Sequence, residues 1–137
     1  MNNNADMLSK AEQIARKSHH GQYRRDGRTP YIKHVETVVS KVNSVDEKTV
    51  AWLHDVIEDT DVTAKDLLDA GFDAKIVHAV TLLTKTEGYD YIEYMRAIKV
   101  NPLAKAVKIA DMQSNLADSP TKKQIERYSS GILYLKT

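Results

Sequence analysis

The run Ala51-Trp52-Leu53-His54-Asp55-Val56-Ile57-Glu58-Asp59-Thr60 sets four polar, ionisable groups into an otherwise apolar stretch. On a helix His54 and Glu58 are four apart, as are Asp55 and Asp59, so the pairs form neighbouring stripes on one side. Val50, Leu53 and Ile57 take the opposite side. Such a polar face would ordinarily meet water, but Trp52, Val56 and Ile57 crowd it, which reads as a partly sheltered face. His34 stands beside Val35 and one turn before Val38, and Asp111 stands between Ala110 and Met112. Taken singly, His34 reads more readily as a hydrogen-bonded core or boundary histidine than as a ligand, and Asp111 as an exposed acid. Together, His34, His54, Asp55 and Asp111 can supply four nitrogen and oxygen ligands to one divalent transition ion, leaving positions for water and a substrate oxygen. Such an ion lowers the pKa of bound water and neutralises charge building on a phosphoryl group. The adjacent His-Asp pair suits this, because side chains about 100° apart on a helix can converge on an ion between them.

The elements that must carry these groups are helical. No stretch shows the sustained alternation of a half-buried strand. A first helix is expected from about Asp6 to His20, with Leu8, Ala11, Ile14 and Ala15 as its apolar stripe, and Gln22 to Pro30 reads as an arginine-rich loop. A second helix should span Tyr31 to Asn43 on Val35, Val38, Val39 and Val42, and a third should run from an Asp46 cap to Thr60. Thr63 and Asp66 resemble a capping box that opens a short helix ended by Gly71. Further helices are expected over Ala74 to Thr84, Tyr89 to Val100, and from the Asn101-Pro102 signal to Ala117. Ser119-Pro120 repeats that signal for a last helix ending near Tyr134. The expectation is an all-α, single-domain bundle of seven or eight short helices covering residues 1–137.

Composition narrows the function classes. The chain has 137 residues, 42% hydrophobic and 28% charged, with a formal charge of +1. That charge gives no electrostatic footprint for a nucleic acid polymer. Without cysteine, thiolate metal sites and disulfides are excluded, which is compatible with a reducing cytosol. The start from Met1 to Asp6 is polar, and no apolar run approaches about 18 residues, so neither a secretory signal nor a membrane span is expected. These features read as a cytoplasmic protein, with homo-oligomerisation left open.

The order His34, His54-Asp55, Asp111 resembles the H…HD…D pattern of the HD superfamily. The fuller run from His54 to Thr60 is similar to the HDxxED form in hydrolase domains of RelA/SpoT-type (p)ppGpp enzymes. Ala15-x-x-x-His19-x-Gly21-Gln22-x-Arg24, then Asp26-Gly27-x-x-Pro30-Tyr31-Ile32-x-His34, resembles the family's N-terminal block. Lys108-Ile109-Ala110-Asp111 with Asn115 resembles its K-[LI]-A-D-x-x-x-N block. The resemblance covers roughly residues 8 to 117. It implies an HD-domain-like all-α fold with His34, His54, Asp55 and Asp111 holding one divalent metal ion, usually manganese. It also implies that Glu58 and Asp59 orient or deprotonate the attacking water. Glu58 and Asp59 also read as a negative helix end, paired with Arg24 or Arg25. Arg24 would grip substrate phosphate through its forked guanidinium, and Lys108 and Asn115, on the Asp111 stripe, could contact phosphate or sugar. Read as residues alone, these three could also be a solvated loop charge, a surface lysine and a packing amide. His19 reads as a group bonding the following loop, His20 and His78 as bland, and Tyr89, Tyr91 and Tyr94 as either a stacking wall for a base or half-buried packing.

One block departs from the pattern. The (p)ppGpp hydrolases commonly carry A-D-R-L-H-N, whereas this chain has Ala110-Asp111-Met112-Gln113-Ser114-Asn115. The ligand Asp and the Asn are kept; the Arg and the second His are not. The reading is therefore a stand-alone phosphohydrolase for a phosphorylated nucleotide, releasing pyrophosphate as a (p)ppGpp 3′-pyrophosphohydrolase of stringent-response chemistry does. A broader nucleotide phosphatase or phosphodiesterase, and a non-catalytic nucleotide-binding sensor, are the alternatives.

Overall fold

The computed structural model describes residues 3–137, so residues 1 and 2 of the expected domain lie outside the described residues. Among the described residues there are nine helical segments. They are α1 (Asn3–Ser18), α2 (Ile32–Ser40), α3 (Val45–Leu53), α4 (Val56–Asp59), α5 (Ala64–Asp69), α6 (Ala74–Leu83), α7 (Tyr91–Lys99), α8 (Pro102–Leu116) and α9 (Lys122–Lys136). The fold is all-α, as the 3.6-residue periodicity implies. The count exceeds expectation by one because the third expected helix is broken at His54-Asp55 into α3 and the single turn α4.

Cap chemistry explains where most segments begin. Thr63 and Asp66 close a reciprocal box at α5, and the Asn101 side chain accepts from Ala104 N–H with Pro102 in the first turn of α8. Two expected caps are corrected. Ser44, not Asp46, caps α3: its hydroxyl accepts from Glu47 N–H while the Glu47 carboxylate accepts from Ser44 N–H. Asp46 instead lies in the first turn, where the helix dipole favours an acid. Likewise Thr121, boxed with Gln124, caps α9, and Ser119 takes φ 47° in the turn before it.

Helix α3 is the central element, packed against α1, α2, α6 and α8. Thr49, Val50, Ala51, Trp52 and Leu53 are all buried, so the second half of this helix is covered around its whole circumference and is enclosed by neighbours. Leu53 is 0% exposed and immediately precedes His54. Truncating it to Ala leaves a cavity under the site, and the expected loss is about 3–5 kcal/mol of unfolding free energy in a urea titration. A loss below about 1 kcal/mol would mean that α3 is not the enclosed centre of the bundle.

Candidate functional site

Three parallel requirements bring the polar groups together: α2 supplies His34, the α3–α4 break supplies His54 and Asp55, and α8 supplies Lys108, Asp111, Ser114 and Asn115. Helices α2, α3 and α8 pack on one another, which closes a separation of 77 residues between His34 and Asp111 to a contact. His34 Nε2 and Asp111 Oδ1 lie 2.8 Å apart.

The break at His54 has a local cause. The ring Nδ1–H donates to the Ala51 carbonyl at 2.6 Å, and the His54 backbone N–H turns to that same carbonyl at 3.4 Å. A carbonyl only accepts, so this bond places the ring proton on Nδ1 and turns Nε2 inward. Asp55 then sits at φ −108°, ψ 0°, the sparsely populated bridge region common at active sites. The chain restarts as α4, with Asp59 N–H donating to the Asp55 carbonyl. This corrects the expectation of one continuous helix with two polar stripes. His54 and Asp55 face the Asp111 side, while the Glu58 carboxylate leaves toward the α6–α7 loop and accepts from Lys85 N–H at 2.7 Å.

Two clusters result. The ligating atoms of His34, His54 and Asp111 lie within 4.8 Å of one another, as do those of Asp55, Glu58 and Asp59. Asp55 joins them, its Oδ2 standing 3.0 Å from His54 Nε2, with His54 Nε2 a further 3.6 Å from Asp111 Oδ1. Donor atoms bound side by side on one ion at about 2.0–2.2 Å stand about 3 Å apart. His54 Nε2 is buried and aligned for a hydrogen bond with no neighbour, a costly state for a polar atom unless a cation or proton meets it. The donor set and this inward-facing nitrogen, with carboxylate oxygens at 3.0 and 3.6 Å but no aligned hydrogen bond, fit a divalent ion.

The electrostatics agree. Burial would lower the His54 pKa, but the charges of Asp55 and Asp111 outweigh it and hold the ring well above the usual histidine value. Burial would raise Asp111, yet the Lys108 charge and the bond to His34 hold it well below the usual carboxylate range. Asp55 is likewise brought down to about 2, the His54 charge outweighing burial, with a hydrogen bond from Tyr31 OH adding to the effect. A pair of largely sheltered carboxylates kept ionised is a site that attracts a cation. Asp59 moves the other way, to about 6, through burial and the nearby charges of Asp55 and Glu58.

The loop before α2 is built to return to the site. Gly27 N–H closes a turn onto the Arg24 carbonyl, with Gly27 at φ +70°. The Asp26 carboxylate accepts from Arg28 N–H, Thr29 N–H and the Thr29 hydroxyl. The Arg24 guanidinium thereby reaches the C-terminal end of α8, where Asn115 Oδ1 (3.1 Å) and, just past the helix, Asp118 (2.8 Å) accept from it. Arg24 is thus paired with Asp118, not with Glu58 or Asp59. Lys108 is buried, 3.5 Å from Asp111 and above the Tyr94 ring. His20 and His78 are exposed. The Tyr94 hydroxyl donates to the Leu83 carbonyl, and its ring meets Tyr89 edge-on at 5.3 Å.

Three groups had no assigned part in the sequence reading. Tyr31 OH donates to Asp55; its place three residues before His34, one helical turn away, is the signal that could have found it. Gln22 donates to the Asp59 carbonyl at 3.0 Å and faces His19 Nδ1 at 2.8 Å with its Oε1. Asp118 lies beyond the quoted block and gives no local signal. The departing block is also clarified. Met112 is buried toward α9, where a Cβ at Gly131 would meet its Sδ at 2.8 Å. It packs against α9, whereas Ser114 faces His34.

No family profile matches the chain. Human guanosine-3′,5′-bis(diphosphate) 3′-pyrophosphohydrolase MESH1 is 32% identical over 130 residues, spanning 86% of this chain and 72% of that protein. The Drosophila melanogaster MESH1 is 33% identical over 118 residues, 77% of this chain and 65% of its own length. A guanosine-3′,5′-bis(diphosphate) 3′-pyrophosphohydrolase of Borreliella burgdorferi is 37% identical over 96 residues, which cover 67% of this chain but 14% of that longer protein. Among solved structures, one described as a metazoan ortholog of SpoT that hydrolyzes ppGpp superposes with a TM-score of 0.74 at 24% identity. It covers 94% of this chain and 84% of its own, which supports the shared fold. Similarity of this degree, carried through most of both chains, means that the protein belongs to the HD-type family of guanosine-3′,5′-bis(diphosphate) 3′-pyrophosphohydrolases that includes MESH1.

Proposed function

We propose that the chain hydrolyses the 3′-pyrophosphate ester of ppGpp, using one Mn²⁺ held by His34, His54, Asp55 and Asp111. The observation that carries this reading is the buried His54 Nε2, which makes no aligned hydrogen bond and faces the Asp55 and Asp111 carboxylates at 3.0 and 3.6 Å, with Glu58 and Asp59 clustered beside Asp55. When bound, the ion would supply a lowered water pKa and charge neutralisation at the phosphoryl oxygens.

The protein's own groups account for the rest. Glu58 and Asp59 stand next to Asp55, positioned to take the proton of the attacking water. An oxygen–phosphorus bond forms as the bond from phosphorus to the ribose 3′-oxygen breaks. The 3′-oxygen gains a proton, and pyrophosphate and GDP leave. Lys108, kept charged by Asp111 despite its burial, offers a fixed cation to the phosphates. Arg24, oriented by Asp118 and Asn115, offers a forked one, and Asn115 stands beside it for phosphate or sugar. No described helix is long and apolar enough to cross a membrane, and a cytoplasmic nucleotide pool is the proposed source of substrate.

The test is purified protein with Mn²⁺ against a panel of phosphorylated nucleotides. Stoichiometric release of pyrophosphate from ppGpp is expected. Intact ppGpp beside turnover of another nucleotide ester would overturn the substrate and favour the broader phosphatase. Nucleotide binding with no turnover anywhere would favour a sensor.

A further inference from the structure

We propose that Ser114 is the positioning residue for His34, its buried hydroxyl holding the imidazole so that Nε2 faces Asp111 and a bound metal ion. The inference rests on the metal reading of the site given above. Ser114 is buried on α8, and its hydroxyl lies 3.2 Å from His34 Nδ1. Because Ser114 follows Asp111 by three residues, both point from one helical face. A single helix therefore supplies one ligand and the outer partner of a second ligand carried on α2.

The two histidines are held by different means. His54 is oriented by the Ala51 backbone carbonyl, which accepts only. His34 is oriented by a hydroxyl, which can donate or accept. Without an ion, the neutral His34 ring donates from Nε2–H to Asp111 at 2.8 Å, which leaves Nδ1 as the acceptor of the serine O–H. With Nε2 committed to an ion, Nδ1 carries the hydrogen and donates to Ser114 Oγ. Rotation of one hydroxyl hydrogen serves both states without moving the ring. A backbone carbonyl at this place would serve only the second. Ser114 also stands at the position where the family's block commonly has its second histidine.

The experiment measures Mn²⁺ affinity by calorimetry for metal-free wild type, Ser114→Ala and Ser114→Thr. Nitrogen chemical shifts of His34 are recorded in parallel in the Zn²⁺-loaded, diamagnetic wild type. Ser114→Ala is expected to bind Mn²⁺ about 10- to 100-fold more weakly, with Ser114→Thr recovering most of the loss through its retained hydroxyl. In the loaded wild type His34 should carry its hydrogen on Nδ1. Affinity of Ser114→Ala within about twofold of wild type would overturn the proposal, since outer partners of metal-bound histidines ordinarily contribute tenfold or more. Should Ser114→Ala fail to fold, a loaded wild type with His34 Nδ1 lacking its hydrogen would overturn it as well. A wild type that binds no Mn²⁺ would remove the metal reading itself, an outcome distinct from a wild type that binds and a Ser114→Ala protein that binds equally.

Discussion

Asp111→Asn protein is expected to lose hydrolysis by on the order of 10³-fold or more and to retain no stoichiometric metal ion. Metal coordination contributes several kcal/mol of charge stabilisation to a phosphoryl transition state, and each step of about 1.4 kcal/mol is tenfold in rate. Asp111 is the centre of the arrangement, touching His34 at 2.8 Å and Lys108 at 3.5 Å and standing 3.6 Å from His54. An asparagine keeps the shape but removes the charge that compensates Lys108. The metal-free variant should therefore also melt at lower temperature, because a buried cation stripped of its partner is strongly destabilising. Adding Lys108→Met to Asp111→Asn should recover the melting temperature but neither metal nor turnover, and that divergence separates the chemical role from the structural one. Full metal stoichiometry with turnover within about tenfold of wild type in Asp111→Asn would remove Asp111 from the ligand set.

Glu58→Gln should reduce kcat by about 10² to 10⁴, the span associated with a positioned general base, while Mn²⁺ affinity and KM stay near wild type. The prediction separates cleanly from folding. Glu58 is an exposed residue whose structural contact is acceptance from Lys85 N–H, and a glutamine oxygen can accept the same bond. The variant should thus match wild type in circular dichroism and melting. Initial rates at saturating Mn²⁺ and a metal titration decide the matter. An unchanged kcat would assign the proton to Asp59, whose pKa of about 6 suits a base near neutral pH, and Asp59→Asn would then carry the loss.

The sequence by itself determined most of the helical frame, because helix signals are local. A capping box spans three residues, an apolar stripe repeats every three or four, and both act through contacts within one turn. Thr63 with Asp66 and Asn101 with Pro102 were legible for that reason. The types of the proposed ligands were legible too, since metal chemistry restricts them to His and carboxylate in a chain without cysteine.

Tertiary structure decided the rest. Ser44 and Asp46 are both acceptable caps by type, and only the returned Glu47 bond distinguishes them. The run from Ala51 to Thr60 reads as one helix, but His54 competes with the backbone for the Ala51 carbonyl. The enclosed centre of α3 then leaves Asp55 in a bridge conformation that no spacing rule encodes. Arg24 carries the same charge whether solvated or bound, and its pairing with Asp118 across 94 residues follows from how the loop folds back on α8. Contacts between residues far apart in the chain depend on which helix faces meet. The direction in which His34, His54, Asp55 and Asp111 converge is therefore a property of the packed bundle, whereas their identities were present in the chain before it folded.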